Sequence, residues 1–502
     1  MRNKGKIVAL FTALSLFTAA CSMPGEMQGM GGKGNQEHNA SAIELKGEKP
    51  AEAKKSGDTF ELMAKKSSLE TANGEKWPTW SYNGSSPGPT IRVKEGEMVR
   101  VRLKNTLPEP VTIHWHGLPV PNRMDGVPGV TQNSVEPGKT FTYEFKATVP
   151  GTYWYHSHQK SADQVERGLY GTVIVDPKKA EKVDRDYTLV LDEWNRPGKK
   201  GGHGEMGHGG VMNHHMDYDV FTINGGTYPN VPPIEVNRGD RVKLRLVNAG
   251  YQTHHIHVHG HDVKVTHMDG QPVNQPPSFR DQLIPVSPGE RYEVELIANN
   301  PGNHIVESHD SESAAAGMKV PIRYQGVSRD GVDTAAGQMQ LPVLNTARYG
   351  KEQRGGFKVD DSFDEEIKAD LGEGMDHPNM KMVYTINGKT FDESEPFQVK
   401  KGDKVKLRME NTGRQNHPMH LHGHFFQVIR KNGKPVNSMP MKDTLNVRPG
   451  ESYEIAFEAD NPGDWMFHCH DLHHAADGMA TLLKYKGYKS FKPDPNAPNE
   501  PE

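Results

Sequence analysis

Cysteine is nearly absent from this chain of 502 residues: only Cys21 and Cys469 occur, so no disulfide framework organises the fold and a cysteine-rich zinc module is excluded. An excess of one charge sign is also lacking. Sixty Lys and Arg against 64 Asp and Glu give a formal net charge of -4, which leaves no electrostatic footprint for nucleic acid. Long apolar runs are scarce, and the one at residues 7–20 is too short to span a bilayer. Helical periodicity is close to missing. With 34% apolar residues, 52 glycines and 36 prolines, the composition is that of a protein built from short strands and many turns. The length exceeds what one core organises and corresponds to about three domains.

What the chain has in quantity is 26 histidines and 22 methionines. The two side chains share little in packing, yet both are copper ligands, imidazole for either oxidation state and thioether for Cu(I). The first residues carry Arg2, Lys4 and Lys6, then the apolar run, then Cys21, which reads as a signal segment over residues 1–21. Small residues before a cysteine resemble the bacterial lipobox, although Thr18 stands where an aliphatic residue is usual. That resemblance implies a lipid anchor at Cys21 and an extracytoplasmic place, at a bacterial cell surface or in the periplasm. A lipidated Cys21 leaves Cys469 as a lone thiol in oxidising surroundings, where it survives buried or bound to a metal.

Beyond a polar leader, expected to be a disordered linker over residues 22–56, the chain repeats itself. YNGSSPGPTIRVKEGEMVRVRLKN from Tyr82, TINGGTYPNVPPIEVNRGDRVKLRLVN from Thr222 and TINGKTFDESEPFQVKKGDKVKLRMEN from Thr385 align Asn83, Asn224 and Asn387. Each copy runs on through a histidine segment to a Pro-Gly turn. Alternating apolar residues, punctuated by Gly, Asn and Pro, predict antiparallel strands. The fold class is therefore all-β, as three Greek-key β-sandwich domains at 57–178, 183–330 and 375–490, with a long connection at 337–375 and a disordered tail at 491–502.

Four segments carry the chemistry: HWH at 114–116, HSH at 156–158, HPMHLH at 417–422 and HCHDLHHAADGM at 468–479. In a strand, residues two apart share a face. His114 with His116, His156 with His158, His420 with His422, and His468 with His470 can thus each present two imidazoles to one place. Eight imidazoles suit several ions. Cys469 lies between two of them and must face away. His417, at an odd offset from His420, can join it, and His474 and Met479 follow in the turn. One thiolate, two imidazoles and a weak thioether make up a type 1 electron-transfer copper site.

In their order and internal spacing these motifs resemble those of the multicopper oxidase family, laccases and cuprous oxidases included, over nearly all of residues 75–485. The resemblance implies cupredoxin-like domains and four copper ions. His417, Cys469, His474 and Met479 would bind the type 1 ion, and His114 and His420 the type 2 ion. His116, His156, His158, His422, His468 and His470 would bind the type 3 pair, between the first and third domains. It also implies oxidation of phenolic substrates, Cu(I) or both, one electron at a time, with dioxygen reduced to water. Because Cys469 is bonded to His468 and His470, electrons have a short covalent path. Asp125 stands where the family often has an acidic proton donor. Ala475 occupies the position at which many bacterial laccases carry Glu, so Asp471 or Asp477 would have to substitute.

The plainer readings fare less well. Any single one of these histidines is most simply a buried, hydrogen-bonded side chain, but eight in matched pairs without metal would crowd many polar nitrogens together. Trp115 faces away from its neighbours and reads as core. A structural zinc at Cys469 lacks further thiolates. In the second domain His254, His257 and His259 align with His417, His420 and His422, whereas Glu307, Ser308 and Ser313 replace His468, Cys469 and His474, with His309 and Met318 retained. That favours a degenerate copy kept for packing over an accessory metal site. The Met/His-rich loop at 198–217, with His203, Met206, His208, Met212, His214, His215 and Met216, is either a plain flexible loop or an aid to Cu(I) oxidation. Two other functions remain to be weighed. A nitrite reductase of the same fold needs fewer domains and a mononuclear catalytic copper, and a copper-sequestering lipoprotein has no need of the HCH strand.

Overall fold

The computed structural model describes residues 43–179, 182–198, 218–310, 313, 317–328, 340–352, 355–376 and 380–502. Residues 1–21 with Cys21, most of the leader and residues 199–217 of the Met/His-rich loop lie outside the described residues. Within them the chain forms six sheets that pair into three sandwiches. Alternation builds the strands: Met98–Asn105 and Lys404–Asn411 bury every second residue. Val101, Leu103 and Tyr143 in the first unit, Leu244, Leu246 and Val294 in the second, and Leu407, Met409 and Ile455 in the third anchor separate cores. Each such side chain contributes about 1.5–3 kcal/mol on burial.

One sheet has the same order in every unit. In the first it runs Gly88–Lys94, Tyr170–Asp176, Gly151–His156, His114–His116. In the second it runs Ile234–Val236, Lys319–Tyr324, Asn303–Ser308, His254–Val258, Ile284–Val286. The third repeats it with Phe397–Val399, Ala480–Tyr485, Asp464–Cys469, His417–Leu421, Thr444–Val447. The histidine-bearing strands are buried on both faces, one toward their own core and one toward another unit.

Four expectations are corrected. The pairing is mixed, since Gly88–Lys94 with Tyr170–Asp176, and Thr59–Glu70 with Met98–Asn105, are parallel. Alternation reports burial, not strand direction, and a parallel neighbour needs only a crossover connection. The third sandwich begins before residue 375: Glu365–Asp376 is a strand parallel to Lys404–Asn411, hidden from pattern reading because only Ala369 and Leu371 are buried in it. Leu45, inside the presumed linker, is fully buried beside Leu69 and Trp77, and Gly47 N–H donates to Asn230 O. Residues 491–502 are not free either. Lys160 N–H donates to Glu500 O at 2.9 Å, Gln159 Nε2 to Pro498 O at 2.9 Å, and Ser134 N–H to Asn499 Oδ1 at 2.8 Å.

Candidate metal centres

Register sorts the side chains before any ion is considered. His114 lies opposite His156, His420 opposite His468, and Met419 opposite Cys469. Residues directly opposite in an antiparallel pair share a face. His420 and His468 therefore point one way, toward the first unit, and Cys469 points the other way, into the third unit's core with Met419. His158, His422 and His470 stand just past the strand ends, so their placement rests on the turns and not on a continued pleat.

On the first face the rings gather in three sets. Ring nitrogens of His158, His422 and His468 lie within 4.8 Å of one another. His470 is centred 4.8 Å from His116 and 5.4 Å from His156, which are 5.9 Å apart. His114 and His420, 5.9 Å apart, stack on His422 and His116 respectively. Gly289 of the second unit, at φ +82°, closes over this set. A Cβ there would sit 2.9 Å from the ring of His470, and glycine both accepts that backbone conformation and leaves the room.

Most rings are held by Nδ1. It donates to Asp125 O from His114, Ser157 O from His156, Asp443 O from His420 and Cys469 O from His468, all at 2.9 Å. His158 Nδ1 donates to Pro501 O at 2.6 Å, and His422 Nδ1 pairs with Asp125 Oδ2 at 2.9 Å. Such bonds fix the tautomer and direct the Nε2 lone pair at the centre. His116 is reversed: Asp443 and Thr444 hold its Nε2, and Nδ1 faces inward.

On the opposite face Cys469 Sγ lies 3.7 Å from Nδ1 of both His417 and His474. Tyr384 covers His474 at 3.9 Å. Met479 is fully buried, donates its N–H to His474 O and accepts from Cys469 N–H. Trp115 faces the first core among Tyr143, Phe145 and Tyr155.

Burial drives the electrostatics. It holds His116, His156, His158, His417, His420, His422 and His470 well below the ordinary imidazole range, and neighbouring imidazoles push the same way. It lowers His468 to about 3 and pushes the Cys469 thiol up. These are neutral rings with lone pairs exposed to one another. The Nε2 atoms of His114, His156, His158 and His420, Nδ1 of His116 and both nitrogens of His470 have no hydrogen-bond partner. Each buried polar atom left so costs about 1–3 kcal/mol. A cation at each gathering point answers both the open lone pairs and the thiol that burial disfavours as thiolate, so the donor set fits copper.

Asp125 lies behind the rings, not at their open side, bridging His114 and His422, and burial raises its pKa. Asp471 caps the helix Leu472–Ala476 and stands 3.4 Å from His474 Nε2, on the Cys469 side. Asp477 pairs with Lys381. Neither substitutes near the eight-ring set. A carboxylate that does reach the set is Glu502, whose Oε1 is 3.2 Å from His468 Nδ1 and whose burial lifts it to about 8. Sequence reading also missed Asp443, which joins His116 to the buried Arg291 of the second unit through bonds of 2.7 and 2.6 Å. No local pattern marks either residue, since their neighbours come from other units.

Comparison with known proteins agrees with this geometry. Three family profiles, each described as multicopper oxidase, match residues 64–180, 185–325 and 362–487. Multicopper oxidase MmcO of Mycobacterium tuberculosis is 31% identical over 441 residues, 81% of this chain and 83% of that protein. A multicopper oxidase structure from Pseudomonas thermotolerans superposes with a TM-score of 0.67 at 26% identity, covering 85% of this chain and 98% of that one. The multicopper oxidase of Campylobacter jejuni, described as a metallo-oxidase, gives a TM-score of 0.66 at 25% identity, covering 87% and 94%.

Proposed function

The chain belongs to the multicopper oxidase family, and from that premise we propose which of its residues hold which copper, and where the enzyme works. It is a copper-dependent oxidoreductase that couples one-electron oxidation of phenolic substrates, Cu(I) or both to the four-electron reduction of dioxygen to water. Four ions are held. His417, Cys469, His474 and Met479 take the type 1 ion, and His114 and His420 the type 2 ion. The type 3 pair divides between His116, His156 and His470 on one side and His158, His422 and His468 on the other. The observation that carries this is that Cys469 faces His417 and His474 while both residues bonded to it face the two trios.

When bound, copper supplies the one-electron steps that drain the reductant and reduce dioxygen. The protein's part is placement and protons. The peptide bonds joining Cys469 to His468 and His470 keep donor and acceptor sites at fixed separation. Asp125 accepts from Nδ1–H of His422 and orients two rings, and its burial favours uptake of a proton relative to an exposed carboxyl. The second unit closes the set against bulk water through Gly289 and Arg291.

The signal-like start supports an extracytoplasmic enzyme tethered through Cys21. Residues 203–216 offer mixed imidazole and thioether donors for Cu(I) as substrate. The test is oxygen consumption by copper-loaded protein with Cu(I) and with a phenol, before and after deleting 203–216. We expect the deletion to lower Cu(I) turnover and spare the phenol, and equal loss or no loss on both removes the Cu(I) role of that segment.

A further inference from the structure

The second unit carries a set of donors that the oxidase reading leaves unused. His257 lies in the strand His254–Val258 directly opposite Glu307 in Asn303–Ser308, so the two share a face. His259 and His309 follow just past the ends of those strands. Ring nitrogens of the three histidines come within 4.8 Å of one another, with ring centres 4.2, 5.0 and 5.7 Å apart. Glu307 Oε1 is 3.0 Å from His259 Nε2 and 3.7 Å from His309 Nε2.

A copy kept only for packing should have closed its polar groups on one another, and half of this copy has. Where the third unit has Cys469 and His474, the hydroxyls of Ser308 and Ser313 bond each other at 2.7 Å, and the His254 ring is taken by Glu193. The other half stays open. Neither ring nitrogen of His257 makes an aligned hydrogen bond although the residue is 3% exposed, and Glu307, 1% exposed, turns one oxygen to the His259 ring and the other to Lys319. Lys319 Nζ stands 3.2 Å from Glu307 Oε2, balancing charge on the far oxygen and leaving Oε1 toward the rings. Asp281 Oδ1 is 3.4 Å from His257 Nε2 at the outer edge. Burial and the adjacent imidazoles lower His257 to about 4, so its ring is neutral and offers a lone pair.

We propose that His257, His259, His309 and Glu307 bind one divalent transition-metal ion, Cu(II) by preference, in a mononuclear site apart from the coppers of the first and third units. Three imidazoles and a carboxylate are a borderline donor set, for which affinity among first-row divalent ions peaks at copper. No thiolate is present, so the bound ion adds no blue colour and lies outside the electron path. Lys319 acts as the outer partner that fixes the carboxylate.

The test uses the full chain, loaded with Cu(II) until its blue absorbance stops rising and then freed of unbound metal. Copper is counted by elemental analysis and by electron paramagnetic resonance. Against the unchanged chain, His257→Asn with His309→Asn should keep the blue absorbance and oxygen turnover, hold one copper fewer and lose one nitrogen-coordinated Cu(II) signal. Glu307→Gln, the milder change, should raise the free copper needed to fill that signal by about tenfold or more. Equal copper content and identical spectra in all three proteins overturn the site, and zinc displacing that signal at equal concentration overturns the preference for copper. Loss of blue colour in the unchanged chain would instead strike the oxidase reading, so the two failures are told apart.

Discussion

In the third unit Asp464–Cys469 brings His468 and Cys469 to a strand pair in which Met419 faces Cys469 and His420 faces His468. In the second, Asn303–Ser308 pairs with His254–Val258 in the same register, with Ile256 facing Ser308 and His257 facing Glu307. The backbone is the same and the chemistry is not. In both units the pleat offers one face to the unit's own core and one to the outside, and three side chains decide what each face does. Replacing thiol and imidazole by two hydroxyls turns the inner face into a closed hydrogen-bonded pair. Replacing one imidazole by a carboxylate leaves the outer face open.

The comparison breaks most sharply at Cys469. Cys469→Ser should remove the blue colour and lower oxygen turnover by more than the roughly 10–100-fold that loss of an outer partner costs. The reciprocal change, Ser308→Cys, should add no blue colour, because Glu193 holds the His254 ring and Ser313 supplies no imidazole. Visible absorbance and oxygen uptake read both. A blue Cys469→Ser protein, or a second blue centre in Ser308→Cys, would show that the inner face is not what sets the site.

Much of this was legible beforehand because the informative signals are local. Two-residue spacing puts His114 and His116 on one face of their strand and marks the other three pairs, whose second members the turns deliver; the odd offset of His417 puts it with Cys469, and the repeat sets the number of sandwiches. What escaped is what depends on other units. Asp443 reaches His116 from the third unit, Arg291 reaches Asp443 from the second, and Glu502 reaches His468 from a proline-rich segment that reads as disordered. The strand Glu365–Asp376, though paired on both sides, escaped because it buries only two side chains, Ala369 and Leu371, among charged and glycine residues.

A smaller effect should come from Asp125, which has no counterpart behind His257, whose Nδ1 is open. Asp125→Asn keeps the shape but loses the carboxylate that accepts from His422 and the group that can take up a proton. Copper content should be kept, and oxygen turnover should fall about 10–100-fold. Unaltered turnover across pH would reduce Asp125 to a spacer, and the backing of the rings would no longer separate the third unit from the second.

The smallest effect lies at the seams. The first unit meets the third through neutral rings backed by Asp125 and Asp443, but meets the second through carboxylates paired with arginine. Arg245 bonds Glu293 and Asp186 at 2.7 Å each, Arg92 reaches Asp186 at 2.9 Å, and Thr152 reaches Glu293 at 2.7 Å. Burial pushes both carboxyls up, but their basic partners together, Arg245 with His267 and Lys243 at Glu293 and Arg245 with Arg92 at Asp186, hold them below the ordinary carboxylate range. A depressed folded pKa means stability that is present above the unfolded value and lost as pH falls through the folded one. Glu293→Gln, which removes one of the two carboxylates that pair the buried Arg245 and leaves Asp186, should cost about 1.5–3 kcal/mol near neutrality, seen as a Tm lower by only a few degrees in so long a chain. Below about pH 4.3, the ordinary glutamate value, the unchanged protein starts to lose the same contribution, so the gap in Tm should narrow. A gap that stays constant from neutral pH into acid would mean that the seam is held by packing, with its charges incidental.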